Sequence, residues 1–131
     1  MVKMENNKIF KQQENLHLVN VSEAWQELLS IDSSIKYGDS SLVVAVVDFS
    51  GIESTTEIVD GEEKVVPVHS VFRNTNGMEK IPVFYRMATG EMNNNFSPLY
   101  SGIHGTCVAG LIGAKISEHS VVGVAHNVRL I

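Results

Sequence analysis

The run from Leu42 to Val47 constrains the fold of this chain more than any other stretch. It is a continuous series of apolar residues, four of them the β-branched residue valine. Such a run is typical of a strand in a parallel sheet that is covered on both faces. The run therefore predicts a protein of the α/β class.

Asp48 directly follows this predicted strand. The carboxyl ends of the strands are the place where open α/β sheets gather their functional groups. A purely structural role is the alternative, because aspartate often accepts backbone N–H bonds where a strand turns into a loop. Asp48 is thus a candidate functional residue with a structural interpretation beside it.

A second informative segment begins with His104, which stands between two glycines. Gly105, Ala109 and Gly113 recur every four residues, so on a helix they form a flat stripe that another backbone can approach closely. His104 then falls at the helix start, where backbone N–H groups lack intrahelical partners. A buried helix that happens to begin with histidine is the alternative. Taken together, Asp48 and His104 suggest a carboxylate that orients an imidazole.

Three segments resemble the motifs of the subtilisin-like serine peptidases (subtilases). Residues 44–52 are similar to the aspartate motif Val-Ala-Val-Ile-Asp-Ser/Thr/Asp-Gly-Ile, and residues 104–110 to the histidine motif His-Gly-Thr-X-Val/Cys-Ala-Gly. A Gly-Val-Ala segment follows at 123–125, as in the family. Residues 20–25 resemble the helix that leads into the domain, most of all in the kexin-like branch. The resemblance covers about residues 14–131, without a detailed match between about 57 and 95.

The resemblance implies a three-layer αβα subtilisin-like fold with a mostly parallel sheet, of which only the N-terminal portion is present. It also implies a serine endopeptidase that hydrolyses polypeptide substrates, with Asp48 as the orienting acid and His104 as the general base. The family's nucleophilic serine, in a Gly-Thr-Ser motif, and its oxyanion-hole asparagine come further downstream. We therefore expect residues 1–131 to be the N-terminal part of a catalytic domain, inactive alone, from a fragment, a truncated reading frame or a degenerate gene.

The sequence departs from the family pattern after the aspartate and in the region of the family's calcium loop. Phe49 is inserted after the aspartate, which predicts that the following loop is re-aimed. Glu57 is the nearest candidate for a calcium-binding carboxylate, but residues 115–120 lack the family's asparagine-rich calcium loop. No metal ligand or cofactor is assigned, and calcium is left as an option for a full-length parent.

Composition and charge exclude several other classes. The 131 residues are 44% hydrophobic and 19% charged, which suits one globular domain. A net charge of -5 without a basic stripe argues against nucleic-acid binding. The apolar runs fall well short of the roughly 20 residues that span a bilayer. The polar N-terminus has no apolar signal core, although family members are often secreted, so localisation and oligomeric state stay open.

The segments around these motifs are interpreted as follows. Residues 1–19 form a lead-in, extended from about residue 9, and Asn20 caps a short helix with Glu23 completing a capping-box-like pattern. Trp25, on that helix, is predicted to pack against the sheet. Residues 128–131 predict a further core strand, which in the family lies beside the aspartate strand.

The region from about 60 to 90 predicts a β-hairpin insertion. Its two alternating segments, 64–72 and 80–86, flank an Asn-Gly turn signal at 76–77, and a core strand followed by an outer one is the alternative. The polar residues 53–57 before it are expected to be exposed at the surface. The insertion is interpreted as a surface feature or as an arm that shapes a cleft.

Cys107 is expected to be a small buried hydrophobe of the histidine helix. As the one cysteine of the chain it cannot form an internal disulfide. Two functional alternatives to the peptidase remain open. One is a non-catalytic binding module that keeps the scaffold, and the other is a metal-dependent site built on Asp48, His104 and Cys107.

Overall fold

A computed structural model describes residues 7–35, 37–48, 51–73, 80–81, 84–86, 91–93, 103–117 and 119–131. In this part of the chain two helices come first, five short strands follow them, and a third helix precedes a last strand. In chain order they are α1 (Glu14–Leu18), α2 (Val21–Ile31), β1 (Val43–Val44), β2 (Ser54–Val59), β3 (Glu62–Pro67), β4 (Phe84–Arg86), β5 (Glu91–Asn93), α3 (Ile103–Gly113) and β6 (Arg129–Leu130).

The central pairing joins β1 to β6 in parallel, with Val44 opposite Leu130. Hydrogen bonds between the two segments continue past the ends of the short strands: the N–H of Val46 donates to the carbonyl of Ile131 at 2.7 Å. A parallel pair, two antiparallel pairs and three α-helices place the described residues in the α/β class, as the sequence predicts. The strand expected at 128–131 does lie beside the strand that precedes Asp48.

The expectation that the strand at 42–47 is covered on both faces is wrong for this chain. Val44 and Val46 pack against the core, whereas Val43 is 44% exposed and Val47 is 81% exposed. Side chains alternate between the two faces of a strand. Helix α3 packs on β6 on the face that Val44 and Val46 share, and within the described residues the other face stays open to solvent.

Helix α3 packs through the small-residue stripe that the sequence predicts. Gly105, Ala109 and Gly113 are all buried. A Cβ built on Gly113 would lie 3.1 Å from Cδ2 of Leu130, so the absence of a side chain sets how closely the helix approaches β6. Around this contact is the sheet cluster, whose buried members are Val71, Phe72, Ile81, Ala109, Ala114, Val128 and Leu130.

The N-terminal segment is helical rather than extended. A single 3-10 turn covers Phe10–Gln12 and is followed directly by α1. Asn20 precedes α2 in the left-handed conformation (φ 54°) and makes no side-chain capping bond, so the predicted capping box is wrong. Asparagine is among the residues that tolerate this conformation, and Asn20 therefore serves as the turn between the two helices.

Trp25 is buried, as predicted, but its partners are aromatic rings and a loop rather than the sheet. Its indole stacks on Phe10 and on Tyr37, and its Nε1 donates a hydrogen bond to the carbonyl of Val124 at 3.1 Å. These contacts belong to the N-terminal cluster, whose buried members are Phe10, Leu16, Val21, Trp25 and Val122.

The hairpin observed after Asp48 pairs different segments from the predicted 64–72 and 80–86. β3 pairs with the preceding strand β2, and the turn is Asp60–Gly61, both with positive φ. A two-residue hairpin turn with positive φ at both central residues is the type that the sequence Asp-Gly favours. Residues 54–59 therefore form a strand, in which Thr55 and Thr56 are exposed, as expected for this polar segment. The Asn-Gly signal at 76–77 lies outside the described residues.

Candidate functional site

Asp48 and His104 are brought together at one end of the parallel pair. Asp48 comes two residues after Val46, whose N–H makes the last bond to the β6 segment. His104 is the second residue of α3. Although 56 residues separate them in the chain, Nδ1 of His104 lies 2.6 Å from Oδ2 of Asp48. The contact forms even with the extra residue Phe49, which itself lies outside the described residues.

Gly105 allows the strand end to reach the helix start. A Cβ built on it would overlap the carbonyl oxygen of Gly51 and would lie 2.9 Å from Oδ1 of Asp48. Gly51 itself has φ 68°, in the region that glycine favours. The backbone at Gly51 thus lies against the first turn of α3, in space that a side chain at Gly105 would fill.

Thr106 fixes the same loop one residue further along the helix. Its hydroxyl accepts a hydrogen bond from the backbone N–H of Glu53 at 2.8 Å, and the side chain is buried. Gly51 and Glu53 therefore contact two consecutive residues of the helix. Neither contact can be deduced from a motif alone, although the glycine-threonine pair after His104 was visible in the sequence.

The other end of α3 is closed by the Gly-Val-Ala segment. The N–H groups of Gly123, Val124 and Ala125 donate to the carbonyls of Ala114, Leu111 and Ile112 at 2.9–3.0 Å. These are carbonyls that a helix end leaves without intrahelical partners. The segment thus satisfies the C-terminus of the histidine helix and then leads into β6, which ties the helix to the strand beside Asp48.

The contact with Asp48 defines which nitrogen of the His104 ring carries the proton. An ionised carboxylate can only accept, so Nδ1 carries the proton of the short bond to Asp48. In the neutral ring the lone pair then resides on Nε2. The side chain of Asp48 is 12% exposed and that of His104 is 77% exposed, so the carboxylate is sheltered while the imidazole is open to a reacting group. This arrangement can accept a proton at Nε2 and stabilise the resulting imidazolium.

Cys107 is exposed, which corrects the expectation of a buried thiol. The stripe of Gly105, Ala109 and Gly113 turns one side of α3 inward. Cys107 therefore lies on the outward side, as does Leu111, four residues on. In the part of the chain that the structure describes, no three His, Cys, Asp or Glu side chains come together as metal ligands. Asp48, His104 and Cys107 accordingly do not form the three-ligand cluster of the metal alternative.

Glu57, the candidate calcium ligand, is engaged elsewhere. Its two carboxylate oxygens accept from the two terminal nitrogens of Arg73 at 2.8 and 3.0 Å. Arg73 also donates from Nε to the carbonyl of Pro67, so the pair links the hairpin to the turn that follows it. This bidentate ion pair gives the carboxylate of Glu57 a structural partner, Arg73.

None of the helices in the described ranges is both long and apolar enough to cross a membrane. Comparison with known proteins adds no identification: no protein-family model, no curated protein and no solved structure matches the chain.

Proposed function

We propose that the chain is the N-terminal part of the catalytic domain of a subtilisin-like serine endopeptidase with a three-layer αβα fold. In this proposal Asp48 orients His104, and His104 acts as general base in the hydrolysis of peptide bonds in polypeptide substrates. The printed sequence contains no Gly-Thr-Ser motif, and the proposal assigns the nucleophilic serine to a segment outside these 131 residues.

The observation that carries the proposal is the 2.6 Å contact between Nδ1 of His104 and Oδ2 of Asp48. A histidine that only packs at a helix start has no need of a carboxylate on the nitrogen that points back into the protein. A side chain at Gly105 would overlap the backbone of Gly51 and crowd Asp48. The glycine that follows His104 is therefore needed for this contact. The exposed ring leaves Nε2 open for the hydroxyl of a serine.

The chemistry follows from this pairing. As the serine oxygen attacks the scissile carbonyl, its proton passes to Nε2 of His104, and the imidazolium is stabilised by Asp48. When the tetrahedral intermediate collapses, Nε2 returns that proton to the leaving amine. Water then repeats the cycle on the acyl-enzyme, so His104 alternates between base and acid. Asp48 keeps its negative charge throughout.

The experiment that tests the proposal uses the complete reading frame of the gene, expressed as one protein. We expect a fluorophosphonate probe to label it on a serine encoded after the codon for Ile131, and a fluorogenic peptide to be cleaved. Asp48→Asn is expected to lower kcat by about 10⁴, because the imidazole loses its preferred tautomer. His104→Ala is expected to abolish labelling. His119→Ala, a histidine elsewhere on the surface, is the matched control and should keep full activity.

A reading frame that carries no reactive serine, or Asp48→Asn and His104→Ala variants that cleave as well as the wild type, would overturn the peptidase proposal. That outcome would favour a non-catalytic module that retains the scaffold for binding. The two functions are thus separated by the same pair of substitutions.

A further inference from the structure

His126 lies between the N-terminal cluster and the sheet cluster and is only 6% exposed. Its ring meets the edges of two aromatic rings, with centre-to-centre distances of 5.7 Å to Trp25 and 5.1 Å to Tyr37. Its Nδ1 is buried and, among the residues that the structure describes, has no hydrogen-bond partner. A protonated ring in this position would bury a charge together with an N–H that has nothing to donate to, which is costly.

A positive charge already lies beside this ring. Lys80 is 6% exposed, and its Nζ donates to the backbone carbonyl of His126 at 2.6 Å. Among the described residues no carboxylate forms an ion pair with Lys80. Burial, and then the charge of Lys115, lower the pKa of Lys80 to about 8. The ammonium therefore persists at neutral and acid pH without an anion to offset it.

In the described part of the chain, the groups that face His126 come from several neighbouring elements, and none of them is an anion. They are the indole of Trp25 from α2, the phenol of Tyr37, and Lys80 with Lys115 near it. The carboxylate of Asp39 is on an exposed residue, where it accepts a hydrogen bond from the N–H of Ser41. Burial and then the charge of Lys80 lower the pKa of His126 to about 4, against a smaller opposing effect of a hydrogen bond with the Gly123 backbone.

The segment that carries His126 is also the segment that holds the N-terminal helices. The side-chain amide of Gln13 makes two hydrogen bonds with the backbone of Val122, at 2.8 and 3.1 Å. Trp25 donates to the carbonyl of Val124, and Asn127 donates its N–H to the carbonyl of Tyr37. A buried positive charge on His126, in the middle of this segment, would weaken all of these hydrogen bonds together.

We propose that His126 is an acid-sensitive latch, whose protonation beside Lys80 releases the N-terminal helices from the segment 122–127. The folded chain binds this proton less readily than an unfolded chain, in which histidine has a pKa of about 6.5. The latch is therefore at full strength above that pH, weakens as the pH falls below about 6.5, and reaches its weakest point below the folded-state pKa of about 4. The proposal is independent of the peptidase function.

Trp25, the one tryptophan of the chain, reports on the latch directly. The experiment follows its fluorescence in the 131-residue protein from pH 7 to pH 3.5, together with an NMR titration of the His126 ring. We expect a reversible change in emission below pH 6 and a ring pKa well below the ordinary value. His126→Phe keeps a ring against Trp25 but cannot be protonated, and it should move the midpoint down by about 1 pH unit or more. His119→Gln, which replaces a histidine that is exposed to solvent, should leave the midpoint unchanged.

A His126→Phe midpoint equal to that of the wild type would overturn the proposal. So would a His126 ring that titrates near 6.5 in the folded wild type, a measurement that decides the matter even if His126→Phe does not fold. A second variant, Lys80→Met, removes the neighbouring charge and is expected to raise the ring pKa toward its ordinary value. No rise in Lys80→Met would show that the two groups are uncoupled, against the proposal.

Discussion

Gly105 lies against the backbone of Gly51 so closely that the loop after Asp48 and the first turn of α3 leave no room for a side chain between them. Gly105→Ala should therefore push the loop away and lengthen the Asp48–His104 contact, with a loss of about 1–3 kcal/mol in the free energy of unfolding. Urea denaturation measures the loss, and the ring shifts of His104 report the contact.

Gly110→Ala is the matched control for that substitution. It lies on the same helix, but the nearest side-chain atoms to a Cβ there, from Phe72 and Val121, are 3.9 Å away. Alanine is a better helix former than glycine, so Gly110→Ala should raise the free energy of unfolding by about 0.5–1 kcal/mol. Equal losses in both variants would contradict the close approach at Gly105.

The tautomers of two histidines should differ in a single spectrum. His104 has its Nδ1 on a carboxylate, whereas Nε2 of His17 lies 3.1 Å from the backbone carbonyl of Phe10. Both acceptors can only accept, so neutral His104 carries its proton on Nδ1 and neutral His17 on Nε2. Nitrogen-15 shifts at pH 8 measure this. In Asp48→Asn the preference of His104 should disappear while that of His17 stays. The same tautomer at both rings in the wild type would contradict the geometry.

Leu130 should be among the most costly side chains to truncate. It is fully buried and packs on Gly113, at the contact that joins α3 to β6. We expect Leu130→Ala to lower the free energy of unfolding by about 2–5 kcal/mol, because a buried cavity replaces the side chain. Leu111→Ala, on the exposed side of the same helix, should cost less than about 1 kcal/mol. Chemical denaturation of the two variants compares them directly.

Lys80 predicts a rise in stability on the alkaline side. Burial, followed by the charge of Lys115, lowers its pKa to about 8, while an unfolded chain holds the proton until about 10.5. Between these values the unfolded state binds more protons, so the free energy of unfolding rises with pH, by at most about 1.4 kcal/mol per pH unit. Denaturation at pH 8 and pH 9.5 measures the rise. Lys80→Met should flatten it, and Lys64→Met, on an exposed lysine, should not.

The sequence predicted the parts of the fold that follow from periodicity. The small-residue stripe and the strand at 128–131 appear where expected, because an apolar pattern commits a segment to a buried face. The valine-rich run supplies β1, but within the described residues only the face of Val44 and Val46 is covered, not both faces as predicted. The hairpin of β2 and β3 was not predicted, although Asp60–Gly61 is a turn signal of the same kind as the Asn-Gly at 76–77.

The candidate site was predictable as a pair but not as a geometry. Order and residue type suggested Asp48 and His104, whereas the contact of Thr106 with Glu53 depends on where a loop returns in space. The exposure of Cys107 could have been deduced, because a stripe at 105, 109 and 113 leaves position 107 on the outward side. The burial of Lys80 beside His126 could not, since residues 46 apart are joined there by tertiary packing alone.

The closure of α3 by Gly123–Ala125 bears on the order in which the chain folds. Helix, closing segment and β6 lie within residues 103–131, whereas Asp48 reaches His104 across 56 residues. Closing a longer loop costs more chain entropy, so the unit from α3 to β6 is expected to form before β1 docks on it. Folding rates should therefore respond more to Leu130→Ala than to Val44→Ala, relative to the stability each loses. A higher ratio for Val44→Ala would reverse that order. In the expected order the contact between Asp48 and His104 forms when β1 docks, on a helix that is already in place.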